Sequence, residues 1–329
     1  MSTPLLSVRD LSVTFSVRPE GIRPWARGRP LRAVRDVCFD LAPGETLGLV
    51  GESGSGKSTL ARALVGTVRA SGGRVLWRGE DLLSMAPGDR RRRRRDIQMI
   101  FQDPLAALDP RMTAGEIIAE PLVTHEPRLA RERVRERVAA TMERVGLLPE
   151  QRNRYPHEFS GGQCQRIGIA RALIVEPRLV ICDEPVSALD VSVQAQIINL
   201  LRELKRDLDL ALIFIAHDLS VVKHVSDRIM VFYLGRVMES AAARDLVRSP
   251  RHPYTRALIS AAPIPDPEVE RRRRAIELKG DLPSPLAPPS GCVFRTRCPE
   301  ARPSCAGESP AMRDFGRGHF AACPFGDDA

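Results

Sequence analysis

The sequence predicts an α/β protein built on a mainly parallel sheet, and three observations carry that expectation. A glycine-rich stretch, Gly51, Glu52, Ser53, Gly54, Ser55, Gly56, Lys57 and Ser58, matches the spacing G-x-x-x-x-G-K-[ST]. It stands between an apolar run at 46–50 and a helix-like run that begins at Thr59. A second apolar run, 179–182, ends in the adjacent carboxylates Asp183 and Glu184. Strand-like and helix-like segments then alternate through residue 248, the pattern of strands joined by helical crossovers.

The first of these observations has direct chemical content. Glycines let a backbone turn tightly enough to aim several N–H groups at one polyphosphate, and the positive end of the following helix adds to the attraction. In such a loop Lys57 reaches the β- and γ-phosphates, and the Ser58 hydroxyl ligates Mg²⁺.

Composition bounds the alternatives. The chain has 329 residues, long enough for one large core or two modest ones, and nothing in it suggests disorder or a fibre. The longest uncharged stretch, 282–294, is proline-rich and too short to cross a bilayer, and no basic-then-apolar export segment follows Met1. A soluble, cytoplasmic chain is expected, held at a membrane only by partners. The net charge is +9, carried by an arginine excess. Its densest run, 90–95, lacks the interleaved aromatics or helix-turn-helix pattern of a nucleic-acid module and reads as a solvated loop or helix face. Seven cysteines without an export signal argue against a disulfide framework.

In chain order, residues 5–15 alternate as a half-exposed strand pair ending at Phe15. That aromatic either stacks on a base or packs under a sheet edge. Residues 16–30 read as a surface excursion, 34–41 as a strand, and Pro43-Gly44 as the turn into the strand before the loop. Strands are expected again at 73–77 and at 97–101, the latter ending at Gln102-Asp103-Pro104, where an amide oxygen can face a metal or a water. From 113 to 175 strand signals vanish, and helices are expected at 113–119, 128–145 and 165–175. Before the last of these stand Ser160, Gly161, Gly162 and Gln163, a helix cap and two glycines that leave N–H groups uncovered, hence a second phosphate-binding surface. Both surfaces meet one phosphate most simply if two copies face head to tail. Asp183 is then expected in the Mg²⁺ shell and Glu184 beside the attacking water. A helix is expected at 191–208 and a strand at 210–216, with His217 at its end, where strands of a parallel sheet converge on a ligand crevice. Segments at 228–233, 236–239 and 241–248 follow. From Ser249 the texture turns to prolines, with 263–267, a basic run at 271–274 and 283–289, and reads as a separate extension.

Taken together, the phosphate loop (Walker A), Gln102, Ser160 to Gln163, Asp183-Glu184, residues 187–190 and His217 resemble, in kind and order, the ATPase subunit of an ATP-binding-cassette transporter. The resemblance implies a P-loop NTPase cassette over 1–248: a parallel core with antiparallel N-terminal strands and a helical subdomain at about 103–177, followed by a small irregular extension over 249–329. It implies Phe15 as the adenine-stacking aromatic, and Gly51 to Ser58 with Thr59 as the phosphate cradle. Ser58, Gln102 and Asp183 become the Mg²⁺ residues, Glu184 the general base, His217 the γ-phosphate switch, and Ser160, Gly161, Gly162 and Gln163 the signature that contacts the opposing subunit's ATP. The text around Gln102-Asp103-Pro104, Tyr155 to Phe159 and 284–292 resembles the oligopeptide/dipeptide importer ATPases. That branch implies ATP hydrolysis coupled to peptide import at the cytoplasmic face of the inner membrane. Its implied partners are a second related ATPase, as a heterodimer or homodimer, two transmembrane permease subunits and, indirectly, an extracytoplasmic binding protein, with no nucleic acid. Nickel or oligosaccharide import, or a soluble non-transport cassette, are the alternatives. Two departures are visible: Phe159 where many cassettes have leucine, and Cys164 where a long polar or basic residue is usual.

Cys292, Cys298, Cys305 and Cys323 gather in the extension at spacings of six, seven and eighteen. That is not a paired C-x-x-C ribbon; four thiolates there can hold an iron–sulfur cluster or a tetrahedral Zn²⁺, or remain free. The resemblance favours a [4Fe–4S] cluster.

Overall fold

In the computed structural model, which describes residues 3–18, 28–262, 268, 271 and 276–326, the alternating N-terminal stretch forms one strand, β1 (Leu6–Val17), where alternation alone predicts a pair. A bulge is the reason. Leu6 and Val8 are buried, and so are Leu11 and Val13, which breaks the two-residue period. Asp10 takes a positive φ of 49°, and the register against the neighbouring strand shifts between Arg9 and Ser12, so one extra residue returns the apolar side chains to the same face. β2 (Arg29–Leu41) lies beside it and carries a matching kink at Asp36, whose N–H and carboxylate both bond the Ser12 hydroxyl at 3.0 Å.

The chain forms two compact units. One comprises Leu6–Asp40, Leu47–Leu83 and Ala216–Ala329; the other comprises Met1–Leu5, Leu41–Thr46 and Ser84–Ile215. In the first, the uniformly buried β3 (Thr46–Val50) feeds the phosphate loop and then α1 (Lys57–Leu64); β4 (Gly72–Trp77) and β5 (Glu80–Asp81) complete an antiparallel sheet of order β2-β1-β4-β5.

The second unit begins with α2 (Pro87–Arg94), a helix with no buried residue, as its arginine run dictates. β6 (Ile97–Ile100) follows, then α3 (Ala114–His125), α4 (Arg131–Arg144), α5 (Gly161–Leu173), β7 (Leu179–Asp183), α6 (Val191–Leu208) and β8 (Ala211–Ile215). β6, β7 and β8 pair in parallel, Leu179 standing opposite both Ile97 and Ala211. α3 runs past the end at Ala119 that periodicity suggests, because Pro121 is accommodated inside it; at the other end a Thr113–Glu116 capping box closes its first turn. α3 packs on α4 and α5 to make a helical layer.

The first unit resumes with α7 (Leu219–Val225), β9 (Arg228–Tyr233), β10 (Arg236–Ala242), α8 (Ala243–Arg248), α9 (Pro253–Ala261), β11 (Arg313–Asp314) and β12 (Phe320–Ala321). β3 runs parallel to β9, and β10 returns antiparallel. The tail is less irregular than its prolines suggest. β12 pairs with β10, setting Ala321 opposite Glu239, and the buried Glu239 carboxylate accepts from His319 Nε2 (2.6 Å) and from the Arg251 and His252 N–H groups. Tyr233, Tyr254 and Phe294, all fully buried, join this part of the unit with ring centroids 4.8 to 5.3 Å apart, Tyr233 meeting each of the other two edge to face. No helix among the described residues is long and apolar enough to cross a membrane. The stretch 263–267, most of the basic run at 271–274 and 19–27 of the N-terminal excursion lie outside the described residues.

Candidate functional site

The phosphate loop leaves β3 and wraps around the ammonium of Lys57, the first residue of α1. Lys57 is buried, and its Nζ donates to the carbonyls of Gly51 (2.7 Å) and Glu52 (3.0 Å) and to Ser55 Oγ (3.3 Å). The loop is propped from outside as well: Gly235 N–H donates to the Ser55 carbonyl and Arg35 N–H to the Gly235 carbonyl, both at 2.8 Å. Gly56 has to be glycine. Its φ is 107°, and a Cβ there would stand 2.2 Å from the Ala33 carbonyl oxygen. Ser53 and Gly54 are exposed, while Ser58 and Thr59 are half-buried in the first turn of α1.

Two residues that the sequence did not single out as part of the site also hold this loop. Glu52 N–H donates to the Tyr254 hydroxyl (3.0 Å), and the Glu52 carboxylate accepts two bonds from Arg297 Nη1 (2.9 and 2.7 Å). Phe15, on β1, keeps 38% of its surface exposed, which favours a stacking face over burial under a sheet edge. His217 is exposed and follows Ala216, whose N–H donates to the Leu49 carbonyl (3.1 Å), two residues before Gly51.

The other unit carries the carboxylates. β7 ends on Asp183, which is 1% exposed, and the chain then bends at Glu184 in the left-handed region, φ 47°. Glutamate adopts that conformation at a cost, here held by Glu184 N–H donating to the Ile215 carbonyl (3.1 Å) and by Ser187 Oγ donating to the Glu184 carbonyl (3.1 Å). The bend delivers the Glu184 carboxylate to Gln102 Nε2 at 2.8 Å, across 82 residues of sequence. Burial pushes the thiol of the preceding strand residue, Cys182, up to about 12, so it stays protonated.

Ser160 caps α5 through a reciprocal box: Gln163 N–H donates to Ser160 Oγ (3.3 Å) and Ser160 N–H to Gln163 Oε1 (2.9 Å). The helix thus starts at Gly161, four residues before the periodic run, with both glycines in its first turn. Ser160 and Gly161 are exposed. Cys164 points inward instead, fully buried with Sγ 3.4 Å from the Pro156 carbonyl. The departure at Cys164 is therefore a matter of packing within this unit.

Cys292, Cys298, Cys305 and Cys323 line one cavity beside Phe294 and His252. Burial raises the thiols of Cys292 and Cys323, and that of Cys298 to about 11. Among the described residues no three His, Cys, Asp or Glu side chains gather as ligands of a single ion.

Known proteins share this organisation. The ABC transporter family model matches residues 34–187, and the model described as the oligopeptide/dipeptide transporter C-terminal region matches 238–305. The chain is 59% identical over 319 residues to the oligopeptide transport ATP-binding protein OppF of Escherichia coli, covering 97% of this chain and 95% of that one. Against OppF of Haemophilus influenzae the identity is 57%, covering 97% and 96%, and against a putative peptide import ATP-binding protein of Brucella ovis it is 51%, covering 98% of each. Among solved structures, the ATP-binding cassette MJ0796, in a dimeric post-hydrolysis state bound to ADP and Pi, superposes with a TM-score of 0.64 at 26% identity, over 73% of this chain and 99% of that one. The cbiO1 protein of Clostridium perfringens, part of the ABC transporter complex cbiONQ, gives 0.63 at 25% identity, over 75% and 92%. A phosphate loop closed around Lys57, a glutamine-bound carboxylate at the end of a buried strand, and relatives of this similarity over nearly the whole length make the chain a member of the ABC transporter ATP-binding family, in the branch that carries the oligopeptide/dipeptide transporter C-terminal region.

Proposed function

We propose that the chain is the ATP-hydrolysing subunit of a peptide importer. ATP is gripped by the loop Gly51 to Thr59 with Lys57 on the β- and γ-phosphates, and Phe15 stacks on adenine. Ser58, Gln102 and Asp183 supply only oxygen donors, the set that suits Mg²⁺; the ion, when bound, offsets phosphate charge. Glu184 accepts the proton of the attacking water, Gln102 orients that water, and His217 reads the γ-phosphate. Ser160, Gly161, Gly162 and Gln163 face the nucleotide of an opposing cassette, a second related ATPase or another copy, so turnover requires a pair. Residues 1–248 form the cassette, with 103–177 as its helical subdomain, and 249–329 the extension. Two permease chains form the pore, an extracytoplasmic binding protein delivers the peptide, and the subunit works from the cytoplasmic face of the inner membrane.

The observation that carries hydrolysis is the Gln102–Glu184 bond, which holds a carboxylate and an amide together at a strand end. Peptide as substrate class rests on the OppF relatives. In cells lacking the chain, uptake of a labelled tripeptide should be lost, be restored by the wild-type chain and not be restored by Glu184→Gln. Restoration by that variant to the wild-type rate removes Glu184 as the base, and unchanged uptake without the chain removes the importer reading.

For the extension, we propose that Cys292, Cys298, Cys305 and Cys323 ligate a [4Fe–4S] cluster. A lone Zn²⁺ needs sulfurs roughly 3.8 Å apart, given Zn–S bonds near 2.3 Å in a tetrahedron. A cluster binds each thiolate to a different iron, and four thiols lining one cavity support that reading. Iron with visible charge-transfer absorption in anaerobically purified protein is expected; stoichiometric zinc, or no metal, overturns it.

A further inference from the structure

The extension also touches the phosphate loop. Glu52 is bound at four atoms: its N–H by the Tyr254 hydroxyl, both carboxylate oxygens by Arg297, and its carbonyl by the Lys57 ammonium (3.0 Å). The first two partners lie 202 and 245 residues further along the chain. Neither is a loose surface contact. Tyr254 is fully buried, and the Arg297 side chain is 11% exposed. Arg297 N–H donates to the carbonyl of Phe294, which is itself packed against Tyr233 and Tyr254. One nitrogen, Nη1, spans both carboxylate oxygens, and a partly buried, charge-assisted contact of this kind is among the stronger polar contacts a protein makes.

We propose that Arg297, with Tyr254, is a positioning residue of the nucleotide site: it neutralises and aims Glu52, and so sets the loop's affinity for ATP. The proposal rests on the assignment of this loop to ATP. Its physical core is charge. A carboxylate on a loop that receives a polyphosphate repels the ligand unless a cation cancels it, and Arg297 is the cation on Glu52. Glu52 also offers its carbonyl to Lys57, so a displaced Glu52 loosens the lysine.

The test is equilibrium binding of a fluorescent ATP analogue with Mg²⁺ to the full-length chain. Arg297→Met is expected to raise Kd about tenfold, equivalent to about 1.4 kcal/mol, and the deficit should shrink in 0.5 M salt because the repulsion is screened. Glu52→Gln added to Arg297→Met should return Kd to within about threefold of wild type. An arginine that merely anchors the extension gives another pattern: lower Tm, no salt dependence and no rescue, and that pattern overturns the proposal. Should Arg297→Met not fold, Arg297→Lys keeps the charge. A Kd within about threefold of wild type in that variant supports the proposal, because the cation on Glu52 is retained, and a larger rise overturns it. Wild-type protein that binds no analogue removes the ATP assignment itself, whereas wild-type binding that Lys57→Ala abolishes and Arg297→Met leaves unchanged removes this inference alone.

Discussion

Replacing Gly56 by alanine tests whether the phosphate loop is held by its surroundings or only by its own turn. Two costs follow from the geometry at Gly56. The φ of 107° is one that an L side chain adopts at about 1–3 kcal/mol. The new methyl would also stand 2.2 Å from the Ala33 carbonyl oxygen, a backbone atom that moves only if β2 moves, and forced overpacking of that kind costs about 1–3 kcal/mol more. A total of roughly 2–6 kcal/mol lowers Tm by about 3–9 °C in a chain of this size, whose unfolding entropy is about 0.7 kcal/mol/K. Gly54 is the control. Its φ is 74°, but a Cβ there meets nothing within 4 Å, so Gly54→Ala bears the backbone cost alone. Thermal unfolding of the two variants, read by calorimetry alongside ATP-analogue binding, separates the terms. Equal Tm shifts for Gly54→Ala and Gly56→Ala would refute the crowding by Ala33, and wild-type analogue affinity in Gly56→Ala would refute the claim that the loop's path is set there.

The remaining predictions concern other parts of the molecule. Glu184→Gln should lower ATP turnover in the assembled complex at least a hundredfold while ATP-analogue binding persists; phosphate release above a tenth of the wild-type rate contradicts the base assignment. Ser160→Ala removes one cap bond and should destabilise by about 1 kcal/mol, yet it should reduce ATP turnover in the paired assembly far more than that small loss of folding stability explains; a stability change alone, with full turnover, speaks against a nucleotide contact. Thiol labelling at pH 8 should modify the exposed Cys38 before the buried Cys164 and Cys182, which react only after denaturation; peptide mass spectrometry that finds Cys182 labelled early in native protein would contradict its burial.

Local signals were the readable ones. The phosphate loop, the apolar strands at 46–50, 179–183 and 228–233 and the helix at 191–208 stand where sequence spacing puts them, because each is specified by its own residues. The Ser160 cap belongs with them, since serine and glutamine three residues apart form the box without outside help. Contacts made over long distances were not readable. Nothing near Glu52 points to Tyr254 or Arg297, and nothing near Gln102 states that its amide meets Glu184; these follow only from the packing of whole elements. Period was misleading where backbone geometry changes the count, as at the Asp10 bulge, and a helix tolerated the Pro121 that should have ended it. Two-residue strands such as β12 carry no periodicity at all and exist because β10 offers an edge to pair with.

That last pairing bears on how the protein can be cut. β12 covers part of a rim on β10 that would otherwise present bare main-chain donors and acceptors, and His319 shields a carboxylate that water never reaches. Trimming the chain after Cys305 strips away both at once. Clumping of the shortened product, through rims joining from molecule to molecule, is the defect to watch for before any loss of ATP turnover.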